Sequence, residues 1–266
     1  MSDTIIIGPD SIEMGWMLEF IGRARKKAEA YKNVIIYCEE GNEYLYEDFG
    51  TEYITFPKKK GWRDRWFFCG KRLDVPKLLR ETYPTAKYYM PTRKHCVSDV
   101  SKFVKYGHED DGYKFDVLIH ARNIERGDWI DRVCGGNHNW GGGNYVELLK
   151  HLKGCSVASI GSRDGALHIK GTEDRRGIHF QALCGTMNKA KVIVGESSGP
   201  MHLASLCGLK HVVITHARPE KSIGGKNNKW RYRKGWNHLG TECAIIEHNM
   251  WRPSVVDVAI KTLRYL

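Results

Sequence analysis

The chain has 266 residues, of which 41% are hydrophobic, and a formal net charge of +11. This length and hydrophobic content support one large or two modest packed domains and exclude a largely disordered chain. No apolar run approaches the roughly 20 residues that span a bilayer and no basic-then-apolar leader precedes the first strand, so we expect a cytoplasmic protein without a transmembrane segment.

The first hundred residues alternate between strand and helix patterns. A β-branched run, an amphipathic stretch and a second β-branched run follow one another within the length of a βαβ unit. The elements predicted here are a strand over 4–8, a helix over 14–30, strands over 33–38 and 51–56, a helix over 75–82 and a strand over 86–90.

The alternation then restarts. Asn144 is predicted to cap a helix, because Glu147 stands three residues later as in a capping box. The predicted elements are strand 115–120, helix 145–153, strands 156–160 and 166–169, helix 178–187, strand 191–194, helix 200–207, strand 211–215 and helix 254–264.

Strands that alternate with helices imply parallel sheets covered on both faces. The two runs are split by a linker-like stretch over 105–115 that is rich in Gly and Asp. We therefore expect an α/β fold with two Rossmann-like domains whose parallel sheets face a cleft. The N-terminal domain would cover 1–110, the C-terminal domain 111–253, and a closing helix 254–266.

The sharpest local signal lies in residues 192–208, where a strand runs into a Ser-Ser-Gly turn and a helix opens with Pro200. A helix start offers free N–H groups and a positive dipole end, which together bind anions. Gly199 would let a diphosphate approach the backbone, and Ser197 and Ser198 could add hydroxyl donors. The alternative is an ordinary helix N-cap, which serine commonly provides.

The string from Ser198 to Ala204, Ser-Gly-Pro-Met-His-Leu-Ala, resembles the donor-binding motif of the heptosyltransferases of lipopolysaccharide synthesis, glycosyltransferase family 9. The similarity continues more weakly over 115–215. In that family the string holds the diphosphate of a sugar nucleotide. The resemblance implies that the donor is bound by Ser197, Ser198, Gly199, Pro200, Met201 and His202. The family normally carries Asp where this chain has Ser197. For His202, core packing is the alternative role.

The resemblance also implies the GT-B architecture, with the donor bound mainly by the second domain and the acceptor by the first. It further implies metal-independent transfer, usually with inversion at the anomeric carbon. We therefore expect no metal and no cofactor, the nucleotide-sugar being a co-substrate. The eight cysteines are scattered without a CxxC pair, which argues independently against a zinc ribbon or a disulfide framework.

Glycosyl transfer needs a base that deprotonates the acceptor hydroxyl. In the heptosyltransferases a catalytic Asp follows a Met-Gly pair after the first strand, but here Trp16 stands in that place. The nearby carboxylates are Glu13 and Asp10, which are the candidate bases. Their alternative role is that of helix first-turn acids stabilised by the dipole.

Further donor-site candidates follow strands. His120 and Arg122 stand at the carboxyl end of strand 115–120, where ligands bind in open α/β sheets. Arg122 could pair bidentately with a diphosphate, or else form a surface salt bridge. His120 could instead be a structural residue.

Three more candidates come later in the chain. Arg163 follows strand 156–160 in the same way. Glu173 or Asp174 would hold the donor ribose, as a carboxylate in this region often does in GT-B enzymes, or would cap the following helix.

Two basic stretches contain interleaved aromatic residues, over 56–72 and 221–236. Lys59, Trp62 and Arg63 in the first and Arg231 in the second are candidate acceptor-binding residues. Aromatic stacking with phosphate pairing holds extruded or single-stranded bases, and a phosphorylated glycan would use similar residues. The alternative is a solvated loop whose aromatic rings turn inward.

The sequence therefore favours a hexosyl- or heptosyl-type glycosyltransferase that acts on an anionic acceptor. A bacterial surface glycan of lipopolysaccharide type follows from the resemblance. A hydroxymethylated base in DNA follows from the charge and the aromatic stretches, as in phage DNA-modifying glucosyltransferases with the GT-B architecture. A different class, a non-catalytic nucleotide- or nucleic-acid-binding protein, also fits the missing Asp after Gly15.

Overall fold

The computed structural model divides into two compact units, Met1–Val100 and Ser101–Leu266. The residues that the structure describes are 3–8, 21, 24–47, 49–57, 77–89, 112–123, 139–216, 228–233, 237, 240–248 and 251–266. No helix within these ranges is long and apolar enough to cross a membrane.

The first unit contains a four-stranded sheet in the order β3-β2-β1-β4, with every pair parallel. The side chains of Ile5, Ile6 and Ile7 in its β1 strand are buried, as expected for a parallel strand covered on both faces. Among the described residues, 24–28 are helical, and the elements with described bounds are β1 (Thr4–Ile7), β2 (Asn33–Glu39), a 3-10 turn (Glu43–Leu45), β3 (Glu52–Phe56), α1 (Lys77–Thr82) and β4 (Lys87–Tyr89).

The second unit contains a six-stranded, fully parallel sheet in the order β10-β9-β8-β5-β6-β7. Its strands are β5 (Val117–His120), β6 (Val157–Gly161), β7 (Glu173–Arg176), β8 (Val192–Glu196), β9 (Lys210–His216) and β10 (Cys243–His248). Its helices are α2 (Gly142–His151), α3 (Phe180–Lys189), α4 (Gly199–Leu206), α5 (Asn228–Arg231) and α6 (Val255–Leu263).

This sheet has the Rossmann topology. When β5 to β10 are numbered 1 to 6 and the sheet is read from β7 to β10, the strand order is 3-2-1-4-5-6. The point where this order reverses lies between β5 and β8. The predicted α/β architecture with parallel sheets is therefore confirmed. The final helix α6 packs on the same core through Val258 and Ala259, alongside Tyr145 and Leu148 of α2.

Two local predictions in the second unit are wrong. Helix α2 begins at Gly142 after Gly141, whose φ of 98° turns the chain, so Asn144 lies inside the first turn and is not the cap. The Asn144 amide instead donates to the main-chain oxygen of Trp140 at 2.6 Å. The predicted strand 166–169 reduces to one isolated bridge between Ala166 and Arg122.

Two strands at the sheet edges were not predicted. One is β7, whose residues Glu-Asp-Arg-Arg lack any apolar alternation, and the other is β10. Charged side chains are common on edge strands, because they discourage pairing of the open edge with another chain. The charged β7 is therefore compatible with the sheet although its sequence gives no strand signal.

Asp116 joins three strands at the amino end of the second sheet. Its carboxylate accepts bonds from the Ser156 main-chain N–H at 2.8 Å and the Ser156 hydroxyl at 2.9 Å, and pairs with the Lys191 ammonium at 2.8 Å. The bond from Lys191, followed by those from Ser156, lowers the pKa of Asp116 from 3.8 to about 2.

A carboxyl whose pKa is lower in the folded than in the unfolded protein stabilises the fold at pH values above the unfolded pKa. For Asp116 this contribution is lost as the pH falls from 3.8 towards about 2. After discounting for solvent screening, Asp116→Asn should cost about 1 kcal/mol of unfolding free energy at pH 7. Urea titrations of both proteins at pH 7 and near pH 3 would measure the difference, which should shrink in acid. An equal difference at both pH values would contradict this account.

Candidate functional site

The site predicted from the sequence lies at the carboxyl ends of β5 and β8. These strands are neighbours in a parallel register that places His120 opposite Gly195. The residues that follow each strand, Arg122 on one and Ser197 and Ser198 on the other, are therefore delivered to the same edge of the sheet. In a sheet of this strand order, the point between these two strands is where ligands bind.

Helix α4 starts at this edge. Ser198 stands at its N-cap position, and its main-chain oxygen accepts the first helical bonds from Met201 and His202 at 3.1 and 3.2 Å. The Ser198 hydroxyl makes no capping bond to the helix. It bonds instead to Nδ1 of His120 at 3.0 Å. Ser198 is therefore the N-cap residue, as the alternative expected, but its hydroxyl couples α4 to the end of β5 and does not cap the helix.

His120 is buried, and the ring is held as a neutral imidazole. Burial and then the charge of Arg122 lower the pKa of His120 to about 4. The ring fits because the neighbouring strand β6 ends in Gly161, whose φ is 119°. A Cβ at Gly161 would lie 2.9 Å from Cδ2 of His120, so any larger residue there would push the imidazole away from Ser198.

Arg122 is only 7% exposed, so it is not the surface arginine considered as the alternative. Its main-chain N–H donates at 3.0 Å to the carboxylate of Glu196, the last residue of β8. Glu196 is fully buried and also accepts bonds from Trp140 and Tyr145. Sequence reasoning did not assign a role to Glu196. The signal that could have found it is an acidic residue that ends an otherwise apolar strand.

One aromatic residue of the second basic stretch belongs to the same site. Tyr232 is buried, and its ring lies parallel to that of His202 with the centroids 5.4 Å apart. Its hydroxyl donates to the Ser197 hydroxyl at 3.4 Å. Tyr232 therefore packs against the donor string and has no exposed face on which a nucleobase could stack. Arg231, the candidate acceptor residue beside it, ends helix α5.

The remaining donor candidates lie on the β6–β7 side of the sheet. Arg163 is exposed in the turn after β6, and its side chain lies beside Gly177. Glu173 and Asp174 belong to β7, which β6 separates from β5, so the helix-capping role considered for them is wrong. The Arg176 guanidinium bonds both carboxylate oxygens of Asp174, at 2.8 and 2.9 Å, and lowers its pKa. A donor contact by Arg163 and a ribose contact by Glu173 or Asp174 stay predictions.

Several predicted residues lie outside the described part of the chain. They are the candidate bases Asp10 and Glu13 and the candidate acceptor residues Lys59, Trp62 and Arg63. Within the described ranges, no group of three or more His, Cys, Asp or Glu side chains is arranged to hold a metal ion.

No protein-family model and no curated protein sequence matches the chain. Several solved structures are similar to it. A family 9 glycosyltransferase from Veillonella parvula superposes with a TM-score of 0.59 at 12% identity, over 98% of this chain and 96% of that one. The E. coli ADP-heptose heptosyltransferase II gives 0.58 at 14% identity, covering 98% and 97%. E. coli heptosyltransferase WaaC with ADP gives 0.57 at 11% identity, covering 99% and 100%. The chain therefore shares the GT-B fold of these glycosyltransferases.

The similarity to family 9 covers nearly the whole length of both chains, so both sheets are included in the shared fold. At 11–14% identity it establishes the architecture and leaves the roles of single residues to be argued from their geometry. For this chain that geometry is the meeting of His120, Arg122 and Ser198 at the β5–β8 switch point of the family 9 fold.

Proposed function

We propose that this protein is a glycosyltransferase that takes its sugar from a nucleotide-sugar donor. One observation carries the proposal. The Ser198 hydroxyl at the start of helix α4 bonds to buried His120, two residues before buried Arg122, at the switch point of a Rossmann-type sheet. Support also comes from the shared fold, because WaaC has been solved with ADP and with ADP-2-deoxy-2-fluoro heptose.

In this proposal the donor diphosphate lies at the α4 N-terminus, over Gly199 and Pro200 and beside Met201. The helix dipole and the Arg122 guanidinium stabilise the charge that develops on the leaving diphosphate. Neutral His120 holds the Ser198 hydroxyl in place at 3.0 Å. These groups are fixed before the donor arrives, which makes their stabilisation of the transition state more effective.

The reaction proposed is a single displacement at the anomeric carbon. An acceptor hydroxyl forms the new C–O bond while the bond to the diphosphate breaks, so the configuration inverts. The acceptor proton passes to a carboxylate, for which Glu13 or Asp10 is proposed, and the nucleoside diphosphate leaves with the electron pair. The diphosphate is stabilised by the helix start and Arg122, so no metal takes part in the proposed step.

The acceptor proposed is an anionic bacterial surface glycan of lipopolysaccharide type. The net charge of +11 supports an anionic acceptor, and Lys59, Trp62, Arg63 and Arg231 are proposed to contact it. The solved heptosyltransferases that share the fold favour the glycan over DNA. The inward packing of Tyr232 also removes one of the aromatic rings on which the DNA alternative depended.

The test is a thermal-shift panel of ADP-, GDP- and UDP-sugars, followed by mass spectrometry of glycan and hydroxymethylated-DNA acceptors. A donor at about 100 times its Kd adds about 2.7 kcal/mol of stability, so one member should raise Tm by roughly 5 °C or more. The acceptor that gains the mass of one sugar identifies the substrate class. If every sugar nucleotide left Tm unchanged, the donor site would be wrongly assigned.

A further inference from the structure

The carboxylate of Glu196 is fully buried at the end of β8 and faces three hydrogen-bond donors. Its Oε2 accepts from the main-chain N–H of Arg122 at 3.0 Å and from the Tyr145 hydroxyl at 2.8 Å. Its Oε1 accepts from the main-chain N–H of Trp140 at 2.6 Å. Both oxygens are therefore engaged, and two of the three donors are backbone groups.

A charge in this position is costly unless its surroundings compensate for it. Burial raises the pKa of Glu196, and the bonds from Arg122, Trp140 and Tyr145 oppose that rise because they favour the ionised form. An apolar residue at the end of β8 would avoid the cost, but it would leave the N–H groups of Arg122 and Trp140 buried without this acceptor.

The three donors come from segments that are distant in sequence. Arg122 follows β5, whereas Trp140 and Tyr145 stand just before and within the start of α2. The two aromatic rings meet edge to face at 4.8 Å, and the Trp140 indole N–H donates to the main-chain oxygen of Pro253 at 3.0 Å. One carboxylate thus ties the chain at Arg122, just after β5, to the chain at Trp140, just before α2.

Glu196 also directly precedes the Ser197–Gly199 turn, so its own backbone leads into the helix start. We propose that Glu196 is a positioning residue of the donor site. It does not touch the donor, but it sets the backbone of Arg122 and the entry into α4 relative to each other. This inference rests on the proposed function, because the site that it organises is the proposed diphosphate site.

The experiment compares Glu196→Gln with a control at the other end of the same strands. The Gln side chain has nearly the same shape, but it directs an NH2 group at one of the donors and leaves at least one backbone N–H without an acceptor. Asp116→Asn loses bonds just before β5, at the opposite edge of the sheet. Each protein is titrated calorimetrically with ADP, UDP and GDP, and its Tm is recorded.

For the nucleotide that binds the wild type, Glu196→Gln should raise Kd about 10-fold, because a buried donor without an acceptor displaces the backbone that carries it. Asp116→Asn should leave Kd within about 2-fold at a comparable loss of stability. Tyr145→Phe removes one donor and keeps the carboxylate, so a rise of about 3-fold is expected. If the Gln variant does not fold, Tyr145→Phe carries the comparison.

A second readout needs no nucleotide. Amide hydrogen exchange at Arg122 and Trp140 should be faster in Glu196→Gln and unchanged in Asp116→Asn. If both amides of the Gln variant exchanged at the wild-type rate, Glu196 would not hold the two backbone segments together. Equal losses of nucleotide affinity in the Gln and Asn variants would overturn the positioning role. If the wild type bound none of the three nucleotides but exchange at the two amides were faster in Glu196→Gln, the proposed function would be overturned. The role of Glu196 in holding the two segments together would still stand.

Discussion

Replacing Arg122 by alanine is expected to weaken binding of the sugar nucleotide by about 100-fold, because a charge-assisted contact to the diphosphate would be lost in a buried site. The side chain is only 7% exposed, so bulk water cannot readily substitute for it. Calorimetric titration with the nucleotide-sugar that stabilises the wild type would measure the change. The corresponding rise in Tm should nearly disappear.

Two further variants sharpen this result. Arg122→Lys keeps the charge but loses the planar pair of donors, so an intermediate affinity is expected. Arg264→Ala removes an exposed arginine at the end of α6, and it should bind the donor as the wild type does. Wild-type affinity in Arg122→Ala would show that the diphosphate lies elsewhere.

Gly195→Ala should lower the free energy of unfolding by about 3 kcal/mol, since the new methyl group has no space in the centre of the sheet. A Cβ at Gly195 would lie 2.6 Å from the main-chain oxygen of His120 on β5 and 3.1 Å from Sδ of Met201. The first contact is with backbone, which cannot rotate away, so β5 and β8 would have to separate at the site.

Gly143→Ala is the matched control for this substitution. Gly143 lies in the first turn of α2, and nothing is within 4 Å of its Cβ position. Alanine is the better helix former, so this variant should be more stable than the wild type by about 0.5 kcal/mol. Urea denaturation of the two variants and the wild type would measure both effects. Equal stabilities for the two variants would contradict the steric account.

The central strands were predictable because strands that are buried on both faces have sequences rich in β-branched residues. Thr4–Ile7, Asn33–Glu39 and Val192–Glu196 all carry this signal. Strand order was not predictable from one sequence, because the alternation of strands and helices does not say which strands are neighbours. The edge strand Glu173–Arg176 was missed since its four residues are charged and follow no apolar period.

The candidate site was predictable where a residue type and its position after a strand coincide. His120, Arg122 and Ser198 were proposed in this way, and the structure brings them to adjacent strand ends, while their roles stay predictions. The role of Glu196 was missed because it depends on donors 56 and 74 residues away in sequence. The inward orientation of Tyr232 depends equally on a long-range contact, the stack on His202.

The packing of Tyr232 has a consequence for how substrate preference could change in this protein. The ring stacks on His202 of α4, and the Tyr232 hydroxyl donates to Ser197 just before that helix. Farther along, the Asn237 amide oxygen accepts a bond from the hydroxyl of Ser205 in α4 at 2.9 Å. The segment that carries Arg231 is therefore fixed at two points and cannot be exchanged without affecting its neighbours. A segment exchange that tests the proposed acceptor contact of Arg231 would have to keep both anchors, because otherwise the packing of α4 would change at the same time.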